Sequence, residues 1–412
     1  MTTQKTNAKA PTGIELTALD ERFRTDPYPV LDELRETEPV HHDEVLNRWM
    51  LTRHDDVAKV INDRSLSLDP RNAADGTYMS LYRNQLNTDD GDYQPSILFL
   101  DAPDHTRLRG LVTKAFTPRA VERMRPRIQE IVDELLDAVP DREGFDLMDA
   151  FAMPLPTVVI AEMLGVNAAD QGEFKRWSDE SILTFNPMIS DEERERANAA
   201  GTAMYECLVR AVAERRETPG DDLISSMIAV EESGDQLTNA EIVTMTSLLL
   251  TAGNVTTTDL IGNGVHALLQ HPNELQKLRD DPSLIKNAVE EILRYDSPVV
   301  QTARVTLSDM NLEGCPVSTG QSVVPSLSAA NHDPAVYPDP HRFDVTREDT
   351  HHQSFGGGVH YCLGAQLARL EAEIGIGTLV QRFPNLRAAD ESLEWRKLPS
   401  FRGLIKLPVL IS

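Results

Sequence analysis

Phe355-Gly356-Gly357-Gly358-Val359-His360-Tyr361-Cys362-Leu363-Gly364 is the stretch that governs how the rest of this sequence is read. A lone cysteine sits in a glycine-rich loop, and Leu363, Leu367, Leu370 and Ile374 recur behind it at helical spacing. That spacing predicts an amphipathic helix starting directly after the loop. Free N–H groups and aligned dipoles at a helix N-terminus stabilise a thiolate. Such a sulfur can stay deprotonated and bind a metal. Haem iron is one such metal, and a thiolate ligand favours O–O cleavage on it. The glycines lack Cβ atoms, so the loop backbone can take unusual dihedrals and lie close against a flat macrocycle. The competing reading is a buried structural cysteine in a tight turn, because free cysteine behaves as a small hydrophobe.

The signals upstream are mostly helical. Thr117 followed by Pro118 reads as an N-cap and first-turn proline, opening a helix through Leu136. Asp281-Pro282 repeats the device, with a helix running to Tyr295 before Pro298 stops it. Thr238 and Glu241 form a capping box, from which a helical segment extends to His271, a length of roughly 50 Å. Its middle, Met245 to Thr258, is apolar or small on all sides and so should be buried, as suits a helix that walls a cofactor. Strand-like pieces are short: Trp49–Thr52, Gln301–Leu307, Gln321–Leu327 and Leu404–Ile411. The fold class is mainly α with small β-sheets (α+β). The first dozen residues are polar and small and read as a loose arm.

The cysteine string resembles the ligand loop of the cytochrome P-450 family: Phe-Gly, a Gly two residues on, a basic residue, then Cys and Gly. The likeness extends from about Asp26 to the C-terminus. It implies the triangular P-450 fold in a single large domain, residues 13–412 behind an arm at 1–12, and haem b (iron protoporphyrin IX) held by Cys362. Glu291 and Arg294 lie one helical turn apart. The resemblance pairs them with Arg342, in Pro340-His341-Arg342-Phe343, as a structural triad. It also implies that His105, Arg109, Arg304 and His360 bind the haem propionates, and that Phe355 and Gly253 lie against the haem.

In Ala252-Gly253-Asn254-Val255-Thr256-Thr257 the family's acid–alcohol pair, which delivers protons for O–O cleavage, is incomplete: Val255 stands where Asp or Glu is usual. Thr256 and Thr257 are the expected oxygen-activating alcohols, and Asp259, one turn beyond Val255, is a candidate replacement carboxylate. Substrate contacts are expected from Leu249, Ala252, Val299, Val300 and Phe401, from the irregular stretch Leu66–Phe99, and from Ile182–Ile189. Their apolar character implies a small hydrophobic substrate of the terpenoid, steroid or alkyl-aromatic class.

The chain of 412 residues has a formal charge of −26, which argues against nucleic acid as a partner. Cys207, Cys315 and Cys362 are odd in number and far apart, against a disulfide framework. No apolar run reaches the ~18 residues of a membrane span, so a cytoplasmic enzyme is expected. No flavin or nicotinamide fingerprint occurs, so electrons should come from a separate ferredoxin and ferredoxin reductase. Lys114, Arg119, Arg123 and Arg369 are candidates for a locally basic docking face. The expected reaction is insertion of one oxygen atom from O2. The alternatives are a nitric oxide reductase or peroxygenase on the same fold, a haem gas sensor, and a zinc protein using His351, His352, His360 and Cys362.

Overall fold

Thr238 opens the longest helix as the capping box requires. Its Oγ1 accepts from the Glu241 N–H at 3.2 Å, and Glu241 Oε2 accepts from the Thr238 N–H at 2.8 Å. The helix then runs from Asn239 to Gln270 and is buried along most of its length. The computed structural model describes residues 10–86, 96–139, 144–166, 171–232, 237–389 and 392–412. In chain order, α1 Glu21–Thr25, α2 Tyr28–Thr37, α3 His54–Asn62, α4 Tyr78–Leu86 and α5 Asp104–Val112 come first. Next are α6 Pro118–Glu122, α7 Arg125–Asp137, α8 Pro154–Leu164, α9 Gln171–Ser181, α10 Asp191–Glu217 and α11 Leu223–Glu232. The long helix is α12; α13 Pro272–Asp280, α14 Ile285–Tyr295, α15 Leu327–Asn331 and α16 Ala365–Arg382 follow it.

The largest apolar core forms where α12 packs against α8, α10, α14 and α16. To one side lies a five-stranded sheet in the spatial order 40–43, 48–51, 322–325, 304–306 and 66–67, with Arg48–Leu51 parallel to Ser322–Pro325. The helix expected from Thr117 to Leu136 is two helices. Thr117 does cap the first, but Pro126 has no N–H to donate, and the chain restarts at Arg125. The stretch from Leu66 to Phe99 contains α4, while residues 87–95 lie outside those described. So does most of the expected N-terminal arm. Its last residue, Thr12, is tied down: Oγ1 donates to Asp43 Oδ1 at 2.6 Å.

Glu291 and Arg294 meet as expected, both fully buried, with Arg294 Nε and Nη2 donating to the carboxylate at 2.7 and 2.8 Å. The third member of the cluster is not Arg342. That side chain is 62% exposed and pairs with Asp344, while Arg347 Nε approaches Glu291 Oε2 to 3.2 Å. Arg342 contributes its carbonyl instead, accepting from Arg347 at 2.8 Å and from Arg294 at 3.3 Å. The turn at Asp339, which has φ +52°, and the bonds around it send the Arg342 side chain outward and bring Arg347 back over α14. Arg347→Leu should therefore destabilise the fold by about 3 kcal/mol, since it strips a buried carboxylate of one of its two cations. Arg342→Leu should change stability by less than about 0.5 kcal/mol. Urea melts of the two variants check this.

Candidate functional site

The cysteine loop is held by a main-chain carbonyl of α14 and a side chain of α15. Ser354 Oγ donates to the Leu293 carbonyl (2.7 Å) and accepts from Asn331 Nδ2 (2.9 Å), while the Gln353 N–H donates to Asn331 Oδ1 (2.7 Å). Gly356 and Gly358 adopt φ of +67° and +62°, a region costly for residues with a Cβ. The Cys362 N–H donates to the Phe355 carbonyl at 2.9 Å, closing the loop just before α16. Cys362 is exposed and lines a large cavity together with Phe355, Gly356 and Gly364. Enclosure by protein pushes its thiol pKa up, against the pull of the Gly364 and Ala365 N–H groups and of Arg109 and Arg369. Arg369 is not the free surface cation expected of a docking face. Its guanidinium lies 4.5 Å from the Phe355 ring and grips Glu290 at 2.5 and 3.0 Å. Burial works against ionisation of Glu290, but bonds from His352 and Arg369 outweigh it and hold the carboxyl at about 2.

The cavity is about 1200 Å3, larger than the ~300–1000 Å3 typical of a site for one small molecule. On its far side, α12 presents Leu249, Ala252, Thr256 and Thr257. At its edge, α5 supplies His105 and Arg109, the strand 304–306 supplies Arg304, and the cysteine loop supplies His360. The His105 and His360 rings lie 4.0 Å apart. Arg304 donates only to Thr302 Oγ1 and to the Ala303 and Ile61 carbonyls, and Arg109 to the Tyr361 carbonyl. Among the described residues neither has a carboxylate within ion-pair distance. Burial pulls Arg304 down to about 10 and lowers Arg109, and burial with His105, Arg304 and Arg109 pulls His360 to about 3. A partly buried group of uncompensated cations and donors fits a dianion at the cavity edge. A haem with two propionates would meet that requirement, with Cys362, His105, Arg109, Arg304 and His360 as the residues to hold it.

Several expected site residues lie elsewhere. Val299 lines the cavity, but Val300, its neighbour in extended chain, faces the opposite side, as alternation demands. Leu249, Ala252 and Phe401 line the cavity as expected. Gly253 contributes backbone only: an added Cβ would point at Ile160 of α8, 3.3 Å away, so the small residue serves helix packing. Asp259 is fully buried on the back of α12 and does not line the cavity. Its Oδ1 accepts from Arg396 Nε at 3.0 Å, and burial raises its pKa to about 6 despite that partner. Helical spacing put it beneath Val255, and Val255 itself turns from the cavity into a cluster with Ile182, Leu398 and Phe401. Thr256 faces the cavity and donates to the Ala252 carbonyl at 2.7 Å. A zinc site is not formed: His351 is exposed, His352 bonds Glu290, and no cluster of three metal-ligating residues occurs among those described. The sequence reading missed Arg347 and the Arg396–Asp259 pair, which join segments far apart in the chain.

The chain is similar over most of its length to known proteins. A model of the family described as Cytochrome P450 matches residues 74–408. Cytochrome P450 107B1 of Saccharopolyspora erythraea is 42% identical, over 96% of this chain and 97% of the relative. The 6-deoxyerythronolide B hydroxylase of the same organism is 40% identical over 94% and 96%. The myxobacterial cytochrome P450 CYP267B1, solved in complex with myristic acid, superposes with a TM-score of 0.88 at 39% identity, covering 95% of this chain and 98% of that one.

The Glu290 pair makes the loop's support pH-dependent. A carboxyl held below its ordinary value of 4.5 contributes stability that is present above that value and is lost as pH falls toward about 2. Glu290→Gln should flatten the acid limb of a stability-versus-pH profile in that window and leave its slope between neutral and mildly alkaline pH unchanged, as read by urea melts at each pH.

Proposed function

The chain belongs to the cytochrome P450 family, and we propose that it is a haem b monooxygenase in which the Cys362 sulfur binds the iron and a hydrophobic small molecule binds beneath α12. The observation that carries this reading is one shared cavity. The cysteine sulfur, the uncompensated Arg109 and Arg304, and the Thr256 face all border it. His105 and His360 complete the propionate set. Bound there, haem supplies activation of O2 and insertion of one oxygen atom into the substrate. Cys207 and Cys315 do not line the cavity, in keeping with a non-covalently held haem.

Each residue has a separate task. The N–H groups of Gly364 and Ala365 and the Arg109 and Arg369 guanidiniums favour the thiolate. Arg109 and Arg304 neutralise the propionates. Leu249, Ala252, Val299 and Phe401 exclude water and press the substrate toward the reacting centre. Thr256 Oγ1 holds a proton at the distal face and passes it on. With Val255 apolar and Asp259 turned away, no carboxylate of α12 among the described residues lines the cavity to relay that proton. Electrons come from a ferredoxin and its reductase. Exposed Lys114, Arg119 and Arg123 lie on segments leading to and packed against α16, and Val359 of the cysteine loop is 45% exposed. No helix among the described residues is long and apolar enough to cross a membrane, in keeping with a cytoplasmic enzyme. A peroxygenase or nitric oxide reductase is the second reading, favoured by the distal lining, which holds no carboxylate among the described residues.

Two experiments test these assignments. Cys362→Ser should lose the red-shifted Soret band of the reduced carbon monoxide complex, whereas Cys207→Ser and Cys315→Ser should keep it; a variant at 362 that retained the band would overturn the ligand assignment. Thr256→Ala should lower product and raise hydrogen peroxide per electron pair by about tenfold or more, whereas Asp259→Asn should leave coupling unchanged. Wild type that turns over with peroxide alone as fast as with ferredoxin would favour the second reading.

A further inference from the structure

Arg369 lies one turn into α16, and its Nε and Nη2 bond Glu290 of α14 at 2.5 and 3.0 Å. The same guanidinium sits 4.5 Å from the centre of the Phe355 ring, and its Nη1 reaches the Tyr361 hydroxyl at 3.4 Å. Phe355 and Tyr361 both belong to the loop that presents Cys362. The Phe355 carbonyl accepts from the Cys362 N–H, and Tyr361 directly precedes the cysteine. One edge of the cation is therefore taken up by a carboxylate, and the remainder is turned to the ligand loop.

His352 fixes the charge of this group. Its side chain is 2% exposed. Its Nδ1 accepts from the Ser354 N–H at 3.2 Å, so the ring proton sits on Nε2, which donates to Glu290 Oε2 at 3.2 Å. The ring is neutral, in agreement with a pKa that burial lowers. Glu290, with its carboxyl held at about 2, stays ionised. Burial works against the charge of Arg369, but its bonds to Glu290 and Tyr361 raise its pKa. The result is one ion pair of fixed direction, positive end toward the loop and negative end toward α14. The two-pronged contact holds that direction as a single hydrogen bond would not. Both side chains are partly buried, so water screens the pair less than it would at the surface.

We propose, on the reading that Cys362 binds haem iron, that Arg369 is a positioning residue for electron uptake: the Glu290–Arg369 pair, aimed by His352, raises the affinity of the site for an electron. The ferrous site carries one more negative charge than the ferric one, so a positive end directed at the thiolate loop favours the reduced form. Removing the cation and removing the carboxylate then act in opposite directions. A contact that only braces the loop predicts the same direction for both.

The test uses haem-loaded full-length protein that shows the red-shifted carbon monoxide band; wild type without the band would remove the haem reading, and this proposal with it. Reduction potentials are read by spectroelectrochemical titration at neutral pH, with no redox partner present, so that docking makes no contribution. Arg369→Met should lower the ferric-to-ferrous equilibrium constant about tenfold, a fall of ~59 mV. Glu290→Gln, which keeps the hydrogen bonds and loses the charge, should raise it by about threefold. The double variant should lie between the two. If Arg369→Met does not hold haem, the sign of the shift in Glu290→Gln decides. Unchanged potentials, or a fall in both single variants, overturn the proposal.

Discussion

The structure depends on satisfying the hydrogen bonds of one carboxylate that the fold buries completely. Glu291 is fully buried. Taking such a group out of water costs several kcal/mol unless charge and hydrogen bonds replace its hydration. Arg294, Arg347 and the Asp344 N–H supply them. The remaining Arg294 donors must then be satisfied as well, and they find the carbonyls of Asn331, Pro340 and Arg342. Satisfying one acid in α14 therefore fixes the path of the chain between α15 and the cysteine loop. Asn331 carries the constraint onward through Ser354 and Gln353. The position of the sulfur follows from an ion cluster that never touches it.

The cavity is built on a different principle. Its charged edge is left incomplete by the protein: the buried Arg304 and the half-buried Arg109 lack carboxylates among the described residues. Several cations elsewhere are matched: Arg402 with Asp296 at 2.6 Å, Arg48 with Asp43 at 3.0 Å, and Arg396 between Asp259 and Asp179. The contrast separates groups that serve the fold from groups held ready for something the chain does not contain. Asp259 falls on the first side of that line. An added Cβ at Gly403 would lie 2.0 Å from its carboxylate oxygen, so the tail packs directly onto it.

Local patterns were legible in the sequence. The Thr238 capping box, the Thr117 cap and the cysteine loop before α16 each depend on residues a few positions apart, and each appears where the spacing puts it. Errors arose where a rotation had to be chosen. Asp259 follows Val255 on one helical face, but which face meets the cavity depends on the packing of α12 against α8 and the tail. The parity of Val299 and Val300 is set by the bridge between Val299 and Phe401, about a hundred residues on. Arg347 was missed because its pairing with Glu291 runs through an irregular turn with no period to read. Val255 is the converse case: the sequence marked it as unusual, and the structure supplies an apolar cluster to receive it.

Arg294 recognises the segment after α15 through main-chain oxygens, and Arg347 does the same at Pro338, Asp339 and Arg342. A carbonyl carries no signature of the residue that owns it. Selection acting through these contacts sees the course of the backbone and is blind to most side chains along it. Substitutions in this stretch can therefore accumulate quickly between descendants while its shape stays constant. Residue identity therefore constrains this segment less than the course of its backbone does.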